Sequence, residues 1–253
     1  MRIRIGELVD ISTVDWVGRP ATMLFLGGCS FACPWCQNAD LVPLNSGSLV
    51  RISDIEERIS KNFGLIEGIG FSGGEPTLQE EALTEISSWA KNHGLSVLLN
   101  TNGSNPGVVQ SLIDKDLIDE VSSDVKAPLL AYEYSKVIGR SLSFCAEVVL
   151  RITETLSICR ERGIPVEIRT TIIPGLLDRA DQIKAISRGK QYCERYILQQ
   201  FFPNENIPDS NYRDLSPPDR VHLLSLAQVA VDEGIRNVFI RSSYQGLERV
   251  ELK

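Results

Sequence analysis

Cys29-Ser30-Phe31-Ala32-Cys33-Pro34-Trp35-Cys36 is a compact loop that holds three of the six cysteines of this 253-residue chain. Cysteine thiolates hold iron–sulfur clusters, usually four to a cluster, and closely spaced cysteines are the sequence mark of such sites. Three thiolates from one loop leave one iron without a protein ligand. The stretch therefore predicts a metal centre with one position open to a substrate or cofactor.

A structural zinc site is the first alternative, and the spacing of the other candidate ligands disfavours it. Such sites use four Cys or His ligands, typically in two close pairs. Here Cys145, Cys159 and Cys193 are scattered singly, and neither His93 nor His222 neighbours one of them. These three cysteines are predicted to be packed thiols. Three unrelated thiols within the loop are also disfavoured, because its proline and the glycine pair before it indicate a shaped turn.

Composition and charge place the chain among soluble globular proteins. Its hydrophobic share of 43% and charged share of 23% are ordinary. The formal net charge of -7 argues against nucleic acid as the main substrate. No apolar run approaches the ~20 residues of a membrane span, and the N-terminus lacks the apolar stretch of a signal peptide. Together with the clustered thiols, these features predict a cytoplasmic protein without a membrane partner.

Predicted strands and helices alternate along the chain, which is typical of βαβ units and a parallel sheet. A strand or hairpin at 5–17 leads in, and strands follow at 21–26, 68–72, 96–99, 120–123, 166–172, 196–201 and 237–241. Helices are expected at 53–62, 78–92, 107–114, 145–162, 179–187 and 219–233. The first two helices are expected to open with capping boxes, Ser53 with Glu56 and Thr77 with Glu80. Six or seven such units fit a full or partial barrel, and a doubly wound open sheet is the alternative.

Polar groups lie at the ends of several of these predicted strands. They are Gly73-Gly74-Glu75-Pro76, Asn100-Thr101-Asn102-Gly103, Asp124-Val125-Lys126, Arg169 and Gln199-Gln200. Adjacent glycines let a backbone approach a ligand closely, and Pro76 fixes the turn into the following helix. Taken singly, each group is also an ordinary turn or strand-end signal. Because barrel enzymes place their active sites at the carboxyl ends of the strands, we expect all of them on one face.

The cysteine loop, with Trp35 before its last cysteine, and the Gly73-Gly74-Glu75 segment together resemble the radical S-adenosylmethionine (SAM) family. The resemblance implies an α/β fold, a partial (β/α)6 barrel with a short N-terminal strand or hairpin extension. It implies one domain over residues 1–253, with a core at about 20–202 and a C-terminal helix and strand extension at about 216–253. In that family three cysteines hold a [4Fe-4S] cluster, and SAM binds the fourth iron.

The family's motifs imply roles for individual residues of this chain. Cys29, Cys33 and Cys36 are implied as the ligands of one cluster and as the catalytic centre. The implied SAM-binding residues are Trp35, Gly73, Gly74, Glu75, Thr101, Asn102, Asp124, Lys126 and Arg169. Among them, the glycine pair and Glu75 would receive the SAM ammonium group, Trp35 would pack on the adenine, and Arg169 would pair with the carboxylate. For Arg169, a plain charge at a strand end is an equal alternative.

Longer segments narrow the resemblance to the activating proteins of anaerobic ribonucleotide reductases. These segments are residues 33–42, 124–128, 168–175 and 198–201. The resemblance implies one-electron cleavage of SAM to a 5′-deoxyadenosyl radical, which makes a glycyl radical on a partner such as that reductase, with flavodoxin or ferredoxin as the reductant. Two alternatives stay open: a radical SAM enzyme that modifies a small molecule or RNA, and an iron–sulfur electron-transfer or redox-sensing protein.

Overall fold

The computed structural model describes residues 1–243 and 245–251, and its centre is one ten-stranded mixed sheet. The strands are β1 (Arg2–Ser12), β2 (Ala21–Leu26), β3 (Ser48–Arg51), β4 (Gly68–Gly73), β5 (Ser96–Thr101), β6 (Glu120–Asp124), β7 (Val166–Ile172), β8 (Arg195–Gln200), β9 (Val238–Ser242) and β10 (Gly246–Arg249). Their order across the sheet is β10-β9-β8-β7-β6-β5-β4-β2-β1-β3.

Parallel pairing runs without a break from β2 through β4, β5, β6, β7 and β8 to β9. This run confirms the predicted α/β partial barrel. At one end β1 pairs antiparallel with both β2 and β3, and it forms the predicted N-terminal extension. At the other end β10 pairs antiparallel with β9. The sequence analysis missed β3 and β10, which are only four residues long each and carry little hydrophobic pattern.

Eight α-helices connect the strands within the described part of the chain. They are α1 (Ile52–Ser60), α2 (Glu80–Asn92), α3 (Pro106–Asp114), α4 (Ala131–Ile138), α5 (Leu142–Glu161), α6 (Ala180–Ser187), α7 (Ser210–Arg213) and α8 (Arg220–Asp232). Each long helix buries an apolar stripe at helical spacing, as α2 does with Leu83, Ile86 and Ala90. None of the helices described is long and apolar enough to cross a bilayer.

Both predicted capping boxes are wrong. Helix α1 begins at Ile52 without a side-chain cap, so Ser53 and Glu56 lie inside it. Helix α2 begins only at Glu80, after a 3-10 turn over Pro76–Gln79, and the Thr77 hydroxyl donates to Glu75 instead of capping the helix. Helix α4 was not predicted, because no side-chain cap marks its start and it ends after eight residues at a left-handed glycine.

The loop between β1 and β2 closes the amino ends of the barrel strands. Its Trp16 is buried with Ala21, Met23 and Leu98 in an apolar cluster of its own. The indole Nε1 of Trp16 donates a 2.8 Å hydrogen bond to Glu120, the first residue of β6. The opposite, carboxyl ends of the strands are therefore the open face of the barrel.

Candidate active site

The carboxyl ends of the parallel strands surround a cavity of about 290 Å³. Strand β2 leads into the cysteine loop, β4 into the glycine pair and β5 into the following Asn-Gly turn, while β6 ends at Asp124. The residues expected from the sequence that line this cavity are Cys29, Cys33, Trp35, Cys36, Gly73, Gly74, Thr101, Asn102, Asp124, Lys126 and Arg169. The structure thus brings these groups together, and their roles in binding stay predictions.

Backbone hydrogen bonds fix the shape of the cysteine loop. The N–H of Cys29 donates to the carbonyl oxygen of Val42 at 3.0 Å, which folds the chain after the loop back against its start. The N–H of Ala32 donates to the carbonyl oxygen of Ile138 at 2.9 Å, which ties the middle of the loop to the end of α4. The loop is therefore tied to two neighbouring segments of the protein.

The three thiols of the loop face the cavity but are largely shielded from water. Burial raises the pKa of Cys29 to about 11 and that of Cys33 to about 12, which favours the protonated thiols until a metal binds. The positive charge of Lys126 acts in the opposite direction on both thiols. Soft thiolate donors beside a cation suit an anionic iron–sulfur cluster, so this donor set fits the cluster implied by the motif.

The described residues contain no preformed metal site. In residues 1–243 and 245–251, the cysteine loop included, no three His, Cys, Asp or Glu side chains are grouped so as to hold a metal ion. The three thiols of the loop line the cavity, and the chemistry of these donors implies the cluster that they would hold.

Glycines bring the turns after β2 and β4 into direct backbone contact. The N–H of Glu75 donates to the carbonyl oxygen of Gly28 at 2.7 Å, and the N–H of Gly74 donates to that of Leu26 at 2.9 Å. Gly73 has a φ of 113°, which glycine adopts readily and other residues rarely do. A Cβ atom on Gly74 would overlap the carbonyl oxygen of Gly28. The glycine turn and the cysteine loop are thus positioned against each other.

Glu75 lies behind the cavity wall, and this corrects the expectation that it meets a ligand ammonium directly. Its side chain is fully buried. Oε1 accepts hydrogen bonds from the hydroxyls of Thr77 at 2.5 Å and Thr101 at 2.7 Å, and Oε2 accepts one from the N–H of Asn102 at 2.7 Å. Burial raises the pKa of Glu75 in spite of these donors. The carboxylate therefore joins two turns, and the glycine pair supplies the surface that faces the cavity.

Two buried amide atoms at the end of β5 have no hydrogen-bond partner among the described residues. They are Oδ1 of Asn100 and Nδ2 of Asn102, and both residues line the cavity. A buried polar atom without a partner is costly, so such atoms call for a partner that the protein does not supply. One acceptor and one donor are therefore available to a polar organic ligand, which fits SAM.

Lys126 and Trp35 form a wall beside the thiols. The ammonium of Lys126 pairs with Asp124 at 2.9 Å and lies 5.3 Å from the centre of the Trp35 ring. The indole Nε1 of Trp35 donates to the carbonyl oxygen of Val137 in α4 at 2.9 Å. Although burial alone would lower the pKa of Lys126, Asp124 and the cysteine loop hold it above its ordinary value. The wall therefore supplies a fixed positive charge, and packing of Trp35 on adenine stays a prediction.

The guanidinium of Arg169 forms an ion pair and a hydrogen bond within the protein. These contacts favour its interpretation as a structural charge over the expected pairing with the SAM carboxylate. Its Nε pairs with Glu167 at 2.5 Å, and its Nη2 donates to the carbonyl oxygen of Asp15 at 2.9 Å. Glu167 also accepts a 2.6 Å bond from Arg195, which in turn pairs with Glu120. Burial alone would raise the pKa of Glu167, but the two guanidinium groups hold it below its ordinary value.

Asp15, Gln37 and Arg241 also line the cavity, and the sequence analysis did not assign them to the site. Asp15 reaches it from the loop between β1 and β2, so only the tertiary fold places it there. Arg241 comes near the end of β9, in a segment predicted as a strand. Its position at a strand end was the one signal that could have identified it.

The model of the Radical SAM superfamily matches residues 23–184, which include the cysteine loop and the glycine turn. A Methanocaldococcus jannaschii protein with the name "Putative glycyl-radical enzyme activating enzyme" is 33% identical over 96% of this chain and 97% of its own. The pyruvate formate-lyase-activating enzyme of Clostridium pasteurianum is 24% identical over 84% of this chain and 87% of its own.

Among solved structures, a radical SAM methyltransferase from Sphaerobacter thermophilus superposes with a TM-score of 0.67 at 14% identity. The match covers 88% of this chain and 67% of that chain. At this identity the likeness shows the fold alone.

Proposed function

This chain belongs to the radical SAM superfamily, and we propose that it generates a glycyl radical in a partner protein with the aid of a [4Fe-4S] cluster and SAM. The observation that carries the proposal is the match to the Methanocaldococcus jannaschii protein, which spans 96% of this chain and 97% of that one. Anaerobic ribonucleotide reductase is the partner that we propose first, because the motifs of this chain resemble those of its activating proteins.

Cys29, Cys33 and Cys36 would hold the cluster, and their number leaves one iron for SAM. When bound, the cluster and SAM would supply a 5′-deoxyadenosyl radical by one-electron cleavage, with methionine as the other product, for removal of a hydrogen atom from the glycine Cα. The work of the chain itself is to bind SAM, to direct the reacting carbon towards the substrate and to exclude water and competing hydrogen donors.

The glycine turn and the end of β5 would bind the polar groups of SAM. The backbone of Gly73 and Gly74 lines the cavity, and the unpaired amide atoms of Asn100 and Asn102 lie beside it. Glu75 acts from behind this wall, because its four hydrogen bonds hold the turns after β4 and β5 together. Lys126 places a positive charge near the thiols, which favours the thiolate form that binds iron.

The electron would come from an external protein such as flavodoxin or ferredoxin. The cysteines outside the loop do not form a second group: Cys145 and Cys159 are both buried in α5, and Cys193 precedes β8. Within the described residues they are packed thiols, as the sequence analysis predicted. An outside donor therefore supplies the one electron that each cleavage consumes.

Electron paramagnetic resonance of a candidate partner tests the proposal. The reconstituted, reduced protein is mixed with SAM and the anaerobic ribonucleotide reductase of the same organism, and the sample is frozen. We expect a doublet that collapses when the partner is labelled with glycine deuterated at Cα. No signal should appear with Cys33→Ala. If SAM is cleaved but no glycyl-radical enzyme gives a signal, the substrate is a small molecule or RNA instead.

A further inference from the structure

Arg241 reaches into the barrel from a strand beyond the region that the family model matches. In the sheet, Thr171 of β7 pairs with Gln199 of β8, which pairs with Arg241 of β9. Side chains in one row of a sheet point to the same face, and all three line the cavity. Arg241 therefore lies on the wall of the cavity that β7, β8 and β9 form.

The guanidinium of Arg241 has no partner among the described residues. Its Nη2 is buried without a hydrogen bond, and no described carboxylate forms an ion pair with it. Glu167 is already paired with Arg169 and Arg195. Asp15 accepts a 2.6 Å hydrogen bond from Ser12 and acts on Arg241 only through its charge, without a direct contact. Burial and the like charge of Arg169 both lower the pKa of Arg241.

A buried, unpaired guanidinium is expensive to maintain. The binding of an anion that accepts its N–H groups lowers this energetic cost. A carboxylate is such an anion, since it can accept two parallel N–H bonds from one guanidinium. Arg169 and Arg195 are already paired with Glu167 and Glu120, so among the described residues Arg241 is the cation of this group that has no ion pair. The carboxylate of Asp15 lines the first cavity as well, and its negative charge disfavours a ligand with two negative charges. One carboxylate suits this charge better than a phosphate dianion.

A second cavity of about 210 Å³ opens beside Arg241 and shares four lining residues with the first: Gln37, Thr171, Gln199 and Arg241. Its far wall is held in place, because Gln200 donates to the carbonyl oxygen of Pro218 at 2.7 Å and accepts from the N–H of Ser243 at 2.9 Å. The amides and hydroxyls of this cavity offer both donors and acceptors, as a peptide backbone requires.

Gln37 connects the second cavity to the cysteine loop. Its Nε2 donates a 2.7 Å hydrogen bond to the carbonyl oxygen of Phe202, and both residues line the second cavity. Gln37 follows Cys36 directly in the sequence. A group held in this cavity would therefore lie next to the site of radical formation.

We propose that the second cavity binds a carboxylate of the peptide segment that carries the reacting glycine, and that Arg241 is the cation which receives it. The proposal rests on the function proposed above, in which the substrate is a protein. It assigns Arg241 to substrate recognition. SAM also carries a carboxylate, so the experiment measures the affinity for the peptide and the affinity for SAM separately.

Calorimetric titration of the SAM-loaded, reconstituted protein tests the proposal. The probes are N-acetyl-Gly-Gly with a free terminal carboxylate and the same peptide as its C-terminal amide. We expect the acid to bind about tenfold or more tightly than the amide, since a hydrogen-bonded charge pair is worth this much. Arg241→Gln should abolish the preference, and Arg241→Lys should keep part of it. Arg249→Gln, an exposed arginine on β10, should leave it intact.

Two results would overturn the proposal. One is equal binding of acid and amide to the wild-type protein, including no detectable binding of either at their solubility limit. The other is a loss of SAM affinity in Arg241→Gln as large as the loss of peptide affinity, because SAM would then be the source of the carboxylate. Neither readout requires radical chemistry, so failure here is distinct from failure of the proposed function.

Discussion

The backbone N–H of Asn102 donates a 2.7 Å hydrogen bond to Oε2 of Glu75, and the two residues come from turns at the ends of neighbouring strands. Oε1 of the same carboxylate accepts a 2.7 Å bond from the Thr101 hydroxyl. Glu75 therefore holds the two turns that face the cavity in one arrangement. The carboxylate itself does not line the cavity, and it shapes the cavity wall from behind.

Replacing Glu75 by glutamine tests this role. The amide keeps one acceptor oxygen and turns an NH2 group towards donors, so we expect a loss of ~1–3 kcal/mol in the free energy of unfolding. The affinity for SAM should fall about tenfold or more, as the turns lose their alignment. Glu81→Gln, an exposed change in α2, is the matched control. Equal SAM affinity in Glu75→Gln and wild type would show that the network does not position the site.

Gly74 tests the backbone contact between the glycine turn and the cysteine loop. An added Cβ would overlap the carbonyl oxygen of Gly28, next to Cys29, so Gly74→Ala must displace backbone on both sides. We expect a cost of ~1–3 kcal/mol and a reduced iron content after reconstitution. Gly107→Ala in α3, where nothing lies within 4 Å of the new methyl group, should be neutral or stabilising. Normal iron binding by Gly74→Ala would contradict the prediction.

The charge of Glu167 is expected to contribute strongly to the free energy of unfolding, because this carboxylate pairs with two arginines inside the barrel. Its exchange for glutamine leaves Arg169 and Arg195 without their shared carboxylate, and we expect a loss of ~3–5 kcal/mol in the free energy of unfolding at pH 7. Glu147→Gln, which breaks only the exposed pair with Arg151, should cost under ~1 kcal/mol. Denaturant unfolding of both variants measures the difference.

The pH dependence of the Glu167 effect follows from the direction of its pKa shift. The arginines hold the pKa of Glu167 below its ordinary value, so the folded protein binds this proton less tightly than the unfolded chain. Its stabilising effect is full above the pKa of an unfolded glutamate, about 4.3, and is lost as the pH falls through the folded value. The gap between wild type and Glu167→Gln should therefore narrow in acid, and a gap that widens there contradicts the assignment.

The cysteines divide into cluster ligands and packed thiols, and iron analysis separates the two classes. Wild type should take up about four iron atoms per chain on anaerobic reconstitution. Cys33→Ala should lose most of this iron. Cys145→Ala, which removes a buried thiol in α5, should retain it. Equal iron content in the two variants would show that the cysteine loop does not bind the iron.

Much of the site was predictable because parallel strands end on one face. Cys29, Gly73, Thr101 and Asp124 are far apart in sequence, yet each lies at or just after a strand end. The βαβ pattern, together with the family resemblance, predicted that they would meet. Arg169 was expected at a strand end as well, but it lies in the middle of β7. The bounds of the parallel strands were predicted closely, and β7 is Val166–Ile172 as expected. The leading strand was less accurate, because it was expected at 5–17 and β1 spans Arg2–Ser12.

The errors arose where a polar side chain had two possible partners. Thr77 matched a capping box, but its hydroxyl serves the buried Glu75 instead of a helix end. Arg169 had two interpretations of equal weight, a ligand contact and a structural charge, and its ion pair with Glu167 favours the second. Trp16 closes the amino ends of the strands through contacts with residues that are distant in sequence. Its hydrogen-bond partner Glu120 is 104 residues away, and no local sequence pattern predicts such a contact.

Cleavage of SAM is the measurement that tests the central claim most directly. The anaerobically reconstituted protein is reduced and given SAM, and 5′-deoxyadenosine is quantified by chromatography beside the Cys33→Ala variant. We predict product from the wild-type protein and none from the variant. An intact, reduced cluster that forms no 5′-deoxyadenosine would contradict the account and favour an electron-transfer role.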